Sequence, residues 1–312
     1  MLSRRLLRVK VAKSLYAHLK SGSDNLKASE KNLVESIDKA YDLYFQMMSL
    51  IVEVSRYAES RQELAKQKKL ATYEDLNPNR RFVDNPIIAL IANSDSVNDV
   101  LASRKLSWAN HYDAVKDVYN RLVEAEFYRS YMALPTASFN DDRRFVEDFY
   151  IWLEEDDAML EVLNEMSLLW CDDYGFALYM ALRTVQNTKQ SHDVLRVLPK
   201  FKSDEDLDFA RTLFIKSLVQ FEENQEIVDR YTKNWDVERI AFMDNVILVT
   251  ALAELINCPS IPVKVTLDEY IEIAKYYSTP GSSNFINGVL DKVVATLTEQ
   301  GKIKKSGRGL IG

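Results

Sequence analysis

Three arginines near the start of the chain, Arg4, Arg5 and Arg8, stand with Lys10, Lys13 and Lys20 in a stretch of twenty residues without an acid, a local charge of +6. A second basic run, Lys302, Lys304, Lys305 and Arg308, adds +4 over residues 301–312. Such ends can attract a polyanion locally even on an acidic protein, because charge is screened over only about 8 Å at physiological salt. Simple solubility tails would look the same. Other chemistry has less to stand on. His18, His111 and His192 are scattered, and Cys171 and Cys258 are isolated, so neither pairing nor spacing suggests a metal site. Acid runs such as Glu154-Glu155-Asp156-Asp157 and Asp172-Asp173 read as solvated faces or helix starts. No GxGxxG or GxxxxGKS/T phosphate loop occurs, and no Gly-x-Ser-x-Gly elbow. The expectation is a protein that is not an enzyme and carries no metal or cofactor.

The elements that position these groups must be helices. With eight glycines and seven prolines in 312 residues, the chain has too few turn-formers for a sandwich or a doubly wound sheet. Its length allows two domains, and 47% hydrophobic with 28% charged residues is an ordinary globular balance. The net charge of −7 divides into +10 at the two ends and −17 between them. No signal-peptide pattern and no apolar run near the ~20 residues of a membrane span is found, so a cytoplasmic location with free thiols is expected.

Leu7, Val11 and Leu15 form one stripe of a first helix over about residues 3–20, which Ser21-Gly22-Ser23 ends. A long helix follows from about Ser29 to Lys68, with Leu33, Ile37, Tyr41, Tyr44, Met48, Ile51 and Val54 on one face and a break at Asn77-Pro78-Asn79. Further helices fill residues 82–187 and 203–300, and Thr266-Leu-Asp-Glu269 reads as a capping box. Asp142–Ile151 resembles Asp206–Ile215, and Trp170 and Trp235 follow each copy at similar spacing, which a duplicated helical unit or two similar amphipathic helices would explain. Gly288 inside a helix costs about 1 kcal/mol relative to alanine, so a close helix approach is expected there.

The last hundred residues carry the specific pattern. Asn234-Trp235-Asp-Val-Glu-Arg239 leads to Asp244, Ile247-Leu248 and Ala253-Glu254-Leu255, then Ile261-Pro262 and Asp268-Glu269-Tyr-Ile-Glu272-Ile-Ala-Lys275. Ser282-Ser283 and Phe285-Ile-Asn287-Gly288-Val-Leu290-Asp291 close the block. This closely resembles the NusB family of transcription antitermination factors, and Arg4-Arg5-Leu-Leu-Arg8 through Ala12, Leu15 and Tyr16 resembles that family's arginine-rich opening helix.

The resemblance implies an all-α fold: a NusB-like helical bundle with a large all-helical insertion or degenerate repeat after its first helix, as in long forms from the Bacteroidetes. The bundle domain would be discontinuous, residues 1–22 plus 195–300, with a helical insertion over 25–190 and a basic flexible tail over 301–312. The resemblance further implies binding of boxA-like single-stranded RNA together with NusE, a ribosomal protein, in support of processive transcription of rRNA operons, with RNA polymerase engaged indirectly and no membrane. Arg4, Arg5, Arg8 and Lys10 would meet RNA, the arginine fork being bidentate and permanently charged. Ser282 and Phe285 would lie near the RNA, the ring stacking on a base or being buried. Tyr16 and Asp244 would face NusE, or serve only as a satisfied core hydroxyl and a solvated helix position.

There are departures: Asn245 and Val249 stand where the family often has arginines, Asp268 where Asn is usual, and Tyr270 where a small residue is usual. A helical scaffold that does not bind RNA is the alternative. The N-terminal module of an RNA-modifying enzyme is disfavoured by the absence of a glycine-rich cofactor motif.

Overall fold

The structure, a computed structural model, describes residues 1–232 and 241–310. Every regular element among these residues is helical, fifteen α-helices with short 3-10 turns between some of them. The chain divides into two compact units. A terminal unit takes Leu2–Ile37 and the chain from Phe201 onward, and a central unit takes Asp38–Lys200.

Helix α1 spans Arg4–Ser21. Ser3 caps its start by accepting the Leu6 N–H at 3.1 Å, and Gly22, at φ +61° in the left-handed region, closes it. Helix α2 spans Leu26–Lys66. It begins before the expected Ser29 because Asn25 supplies the cap, its Oδ1 accepting from the Ala28 N–H at 3.0 Å. Ser29 lies inside the helix, 2.7 Å from Nδ1 of His18.

The central unit holds the rest of α2 and α3 (Tyr73–Leu76), α4 (Pro86–Ala92), α5 (Asp95–Arg104), α6 (Tyr112–Leu122), α7 (Glu126–Ala133), α8 (Phe139–Leu153), α9 (Asp157–Met166) and α10 (Tyr174–Gln186). Helix α8 packs against α4, α7 and α10. Tyr131 stacks on Phe145 at 4.3 Å while its hydroxyl donates to Asp142 at 2.6 Å, so a polar handle is satisfied inside an apolar layer.

The terminal unit adds α11 (Glu205–Val219), α12 (Phe221–Thr232), α13 (Phe242–Asn257), α14 (Val263–Tyr277) and α15 (Ser282–Glu299) to α1 and the start of α2. Its centre is α13, buried from Val246 through Leu255 and packed by α1, α11, α12, α14 and α15. A helix apolar nearly all round has no other stable place. Phe285, Val289, Val293 and Leu297 of α15 close on Ile247, Leu248, Ala251 and Leu252, the core-facing stripe expected of the last helix.

Three expectations give way here. Helix α14 starts at Val263 after Pro262, so Thr266 is an interior residue and not a cap; its Oγ1 bonds Glu254 instead. A Cβ built on Gly288 meets nothing within 4 Å, so no helix crowds that position. Residues 301–310, expected as a flexible tail, are seated on the unit: the Ser306 N–H donates to Pro259 O at 3.0 Å and Lys305 Nζ to Cys258 O at 3.1 Å. Trp235, which marks the second half of the suspected repeat, lies outside the described residues.

Candidate nucleic-acid interface

The first turn of α1 carries Arg4 and Arg5 and no acid. Cations at the positive end of a helix dipole cost roughly 0.3–1 kcal/mol each, so the counter-charge has to come from elsewhere in the fold. Helix α11 brings Asp206, whose Oδ1 accepts from Arg4 Nε at 3.0 Å. Helix α14 brings Glu269, which takes two bonds from Arg5, at 2.9 and 3.1 Å. One turn on, Arg8 points inward and grips Glu254 of α13 through Nε at 2.7 Å and Nη2 at 2.8 Å. The Arg4 and Arg8 guanidinium groups also lie 5.1 and 5.3 Å from the Phe209 ring centre, a favourable cation–aromatic arrangement.

These arginines differ in access. The side chains of Arg4 and Arg5 are 38% and 52% exposed, whereas that of Arg8 is 3% exposed and that of Glu254 fully enclosed. Thr266 Oγ1 at 2.9 Å and Tyr270 OH at 3.1 Å complete four donors on the Glu254 carboxylate. Burial opposes the charge on Arg8, but the bonds and charge of Glu254 outweigh it and raise its pKa. Burial, reinforced by Glu254, likewise pushes the Tyr270 phenol up, so that group remains a donor. Tyr270 thereby serves a buried ion pair. Arg8, expected against phosphates, is an internal cation.

Ser3, Arg4, Arg5, Ile261, Glu269 and Arg308 line an open cleft of about 810 Å³ to which Arg8 also contributes. Arg308 comes from the seated 301–310 segment, is exposed, and has no ion pair among the described residues. It was legible only as one charge in a basic run. Glu254 and Glu269 were visible as parts of a motif, but not as partners of arginines about 250 residues away.

The remaining expected residues lie elsewhere, and none of them lines this cleft. Lys10 is buried at 5% exposure. Ser282, expected near RNA, and Asp244, expected against a partner protein, are both buried and meet each other, Ser282 Oγ donating to Asp244 Oδ2 at 3.0 Å. Ser278 donates to the other oxygen at 2.5 Å, so Asp244 ties the start of α13 to the α14–α15 turn. Phe285 belongs to the core, as the burial alternative anticipated, with 8% of its surface exposed. Tyr16 is half-buried, its ring edge-on to Phe242 at 5.3 Å, with Lys20 Nζ 4.2 Å from the Phe242 ring centre. Among the described residues no cluster of His, Cys, Asp and Glu could hold a metal, and no helix is long and apolar enough to cross a membrane.

The NusB family model matches residues 177–295. The transcription antitermination protein NusB of Salinibacter ruber is 43% identical over 130 residues, covering 41% of this chain and 81% of that protein. Its counterpart in Chloroherpeton thalassium is 40% identical over 27% of this chain and 40% of that protein, and that in Dictyoglomus turgidum 37% identical over 31% and 67%. A solved structure of T. maritima NusB aligns at 27% identity over 40% of this chain and 80% of that one, with a TM-score of 0.30. Identity at this level across four-fifths of a NusB protein, on a bundle whose opening helix begins in arginines, means that the chain belongs to the NusB family.

Proposed function

We propose that this protein is a cytoplasmic transcription antitermination factor that binds boxA-like single-stranded RNA together with the ribosomal protein NusE. In that role it supports processive transcription of rRNA operons, engaging RNA polymerase through the assembled complex. The observation that carries the reading is the open arginine cleft, where the start of α1 meets Ile261 and Glu269 of the region that the family model matches. Arg4 and Arg5 are the members of the original cluster whose exposure suits phosphate contact, and half-buried Tyr16 and Phe242 with exposed Lys20 form the surface assigned to NusE. Residues 1–22 and 195–300 form the RNA- and partner-binding domain in this reading, and 25–190 are an inserted helical domain.

A second reading has its own support. Arg4, Arg5 and Arg8 each already hold a carboxylate, which lowers the cleft's net attraction for an anion and favours a scaffold that keeps the fold and the protein partner without RNA. Titrating a labelled boxA-like RNA, with and without NusE, across a salt series separates the two. The expected result is binding that weakens with salt, with a log–log slope near −0.7 for each phosphate engaged, and a clear loss of affinity in an Arg4→Ala/Arg5→Ala double variant. Association with NusE and no RNA binding at low salt would establish the scaffold instead.

A further inference from the structure

The cleft's charges do not contribute equally. Arg4, Arg5 and Arg8 are matched one to one by Asp206, Glu269 and Glu254, while Arg308 has no acid partner among the described residues. An incoming anion would have to compete with a carboxylate for each of the first three, two of them held by paired bonds. For Arg308 no acid among the described residues has to be displaced, and a charge-assisted bond is worth most where no internal partner must give way.

The placement of Arg308 is itself built. Beyond α15, Lys302 N–H and Ile303 N–H turn back onto Leu297 O, and Ile303 packs against the core of the terminal unit. Lys305 and Ser306 then bond the carbonyls of Cys258 and Pro259 in the α13–α14 connection, and Gly309 is buried against that connection. A Cβ at Gly309 would sit 2.0 Å from Pro259 O, a backbone atom that cannot swing aside, so only glycine allows this seat. Lys305 gives up solvation to hold it, and the burial lowers its pKa. A tail acting as a loose polycation would need neither the half-buried lysine nor the glycine.

We infer that the seated 301–310 segment is part of the anion-binding cleft and that Arg308 is its principal phosphate contact, holding one phosphodiester of a bound single-stranded RNA. This rests on the reading of the cleft as RNA-facing, and it adds a residue and a positioning device outside the region matched by the family model.

Three single variants of the full chain test it: Arg308→Ala removes the charge, Gly309→Ala keeps every charge and disturbs the seat, and Lys304→Ala removes an exposed tail charge that does not line the cleft. Affinity for a twelve-nucleotide single-stranded RNA is measured against salt, with inorganic phosphate as competitor and thermal melting as the folding control. Arg308→Ala and Gly309→Ala should each weaken RNA binding roughly tenfold and flatten the salt slope by about 0.7, while Lys304→Ala changes little. Equal losses for Arg308→Ala and Lys304→Ala, with Gly309→Ala unaffected, would overturn the inference in favour of a diffuse charge effect. Wild-type binding unchanged by all three variants would also overturn it while leaving the RNA-facing cleft intact, whereas no binding by the wild type would defeat that underlying reading. Competition by millimolar phosphate alone, with no preference for RNA, would reduce the site to one for free phosphate and overturn the assignment to RNA.

Discussion

Arg8 shows how far one residue's role depends on what surrounds it. In the sequence it is the third arginine of a basic cluster; in the fold it is 2% exposed and donates twice to a carboxylate that is entirely enclosed. A buried pair of this kind contributes little net stability when intact, because desolvation offsets attraction, but removing one partner strands the other charge. Arg8→Ala should therefore destabilise the protein by about 3–5 kcal/mol, read as a lower denaturation midpoint in urea. Arg5→Ala, at an exposed pair, should cost under about 1 kcal/mol. Equal small effects at both positions would show that Arg8 is not an internal anchor. Loss of RNA binding in an Arg4/Arg5/Arg8 triple variant would consequently mix unfolding with lost contacts, which is why the double variant is the better probe.

At the scale of elements, most boundaries were legible and a few were not. Ser3 and Gly22 bracket α1 through local chemistry, a side-chain acceptor and a left-handed residue, so sequence suffices. Thr266 misled because the threonine–acid spacing of a capping box also occurs inside helices, and only the position of Pro262 and the pull of Glu254 decide between them. Gly288 of α15 gives a sharper test. It lies inside a helix with open space where a Cβ would go, so Gly288→Ala should stabilise the protein by about 0.5–1 kcal/mol through helix propensity and a less flexible unfolded chain. A higher melting temperature is the expected readout; a lower one would mean that the surface around Gly288 is more confined than the structure shows.

For the whole molecule, charge follows the division into units. Residues 38–200 contain 27 acids against 19 bases, a net −8, which leaves +1 for the remainder of the chain. The negative balance of the chain thus belongs to the central unit. Photo-crosslinking of a 4-thiouridine-substituted boxA-like RNA should accordingly yield adducts on peptides from residues 2–37 and 201–310, identified by mass spectrometry. Adducts mainly on 38–200 would move the RNA site to the central unit.

The sequence by itself determined the helical class, the ends of α1, the concentration of cations at both ends of the chain and, through the block around Glu254, Glu272 and Phe285–Asp291, the family. These are local or linear properties, carried by propensity, capping and motif. Only the tertiary structure decided which arginines are available. Arg4 and Arg8 share a helical face by spacing, yet one stays at the surface beside Asp206 and the other sinks onto Glu254, 246 residues away. The seat of Arg308 likewise depends on the carbonyl of Pro259 and the missing side chain of Gly309, an approach of two backbones that no residue pattern announces.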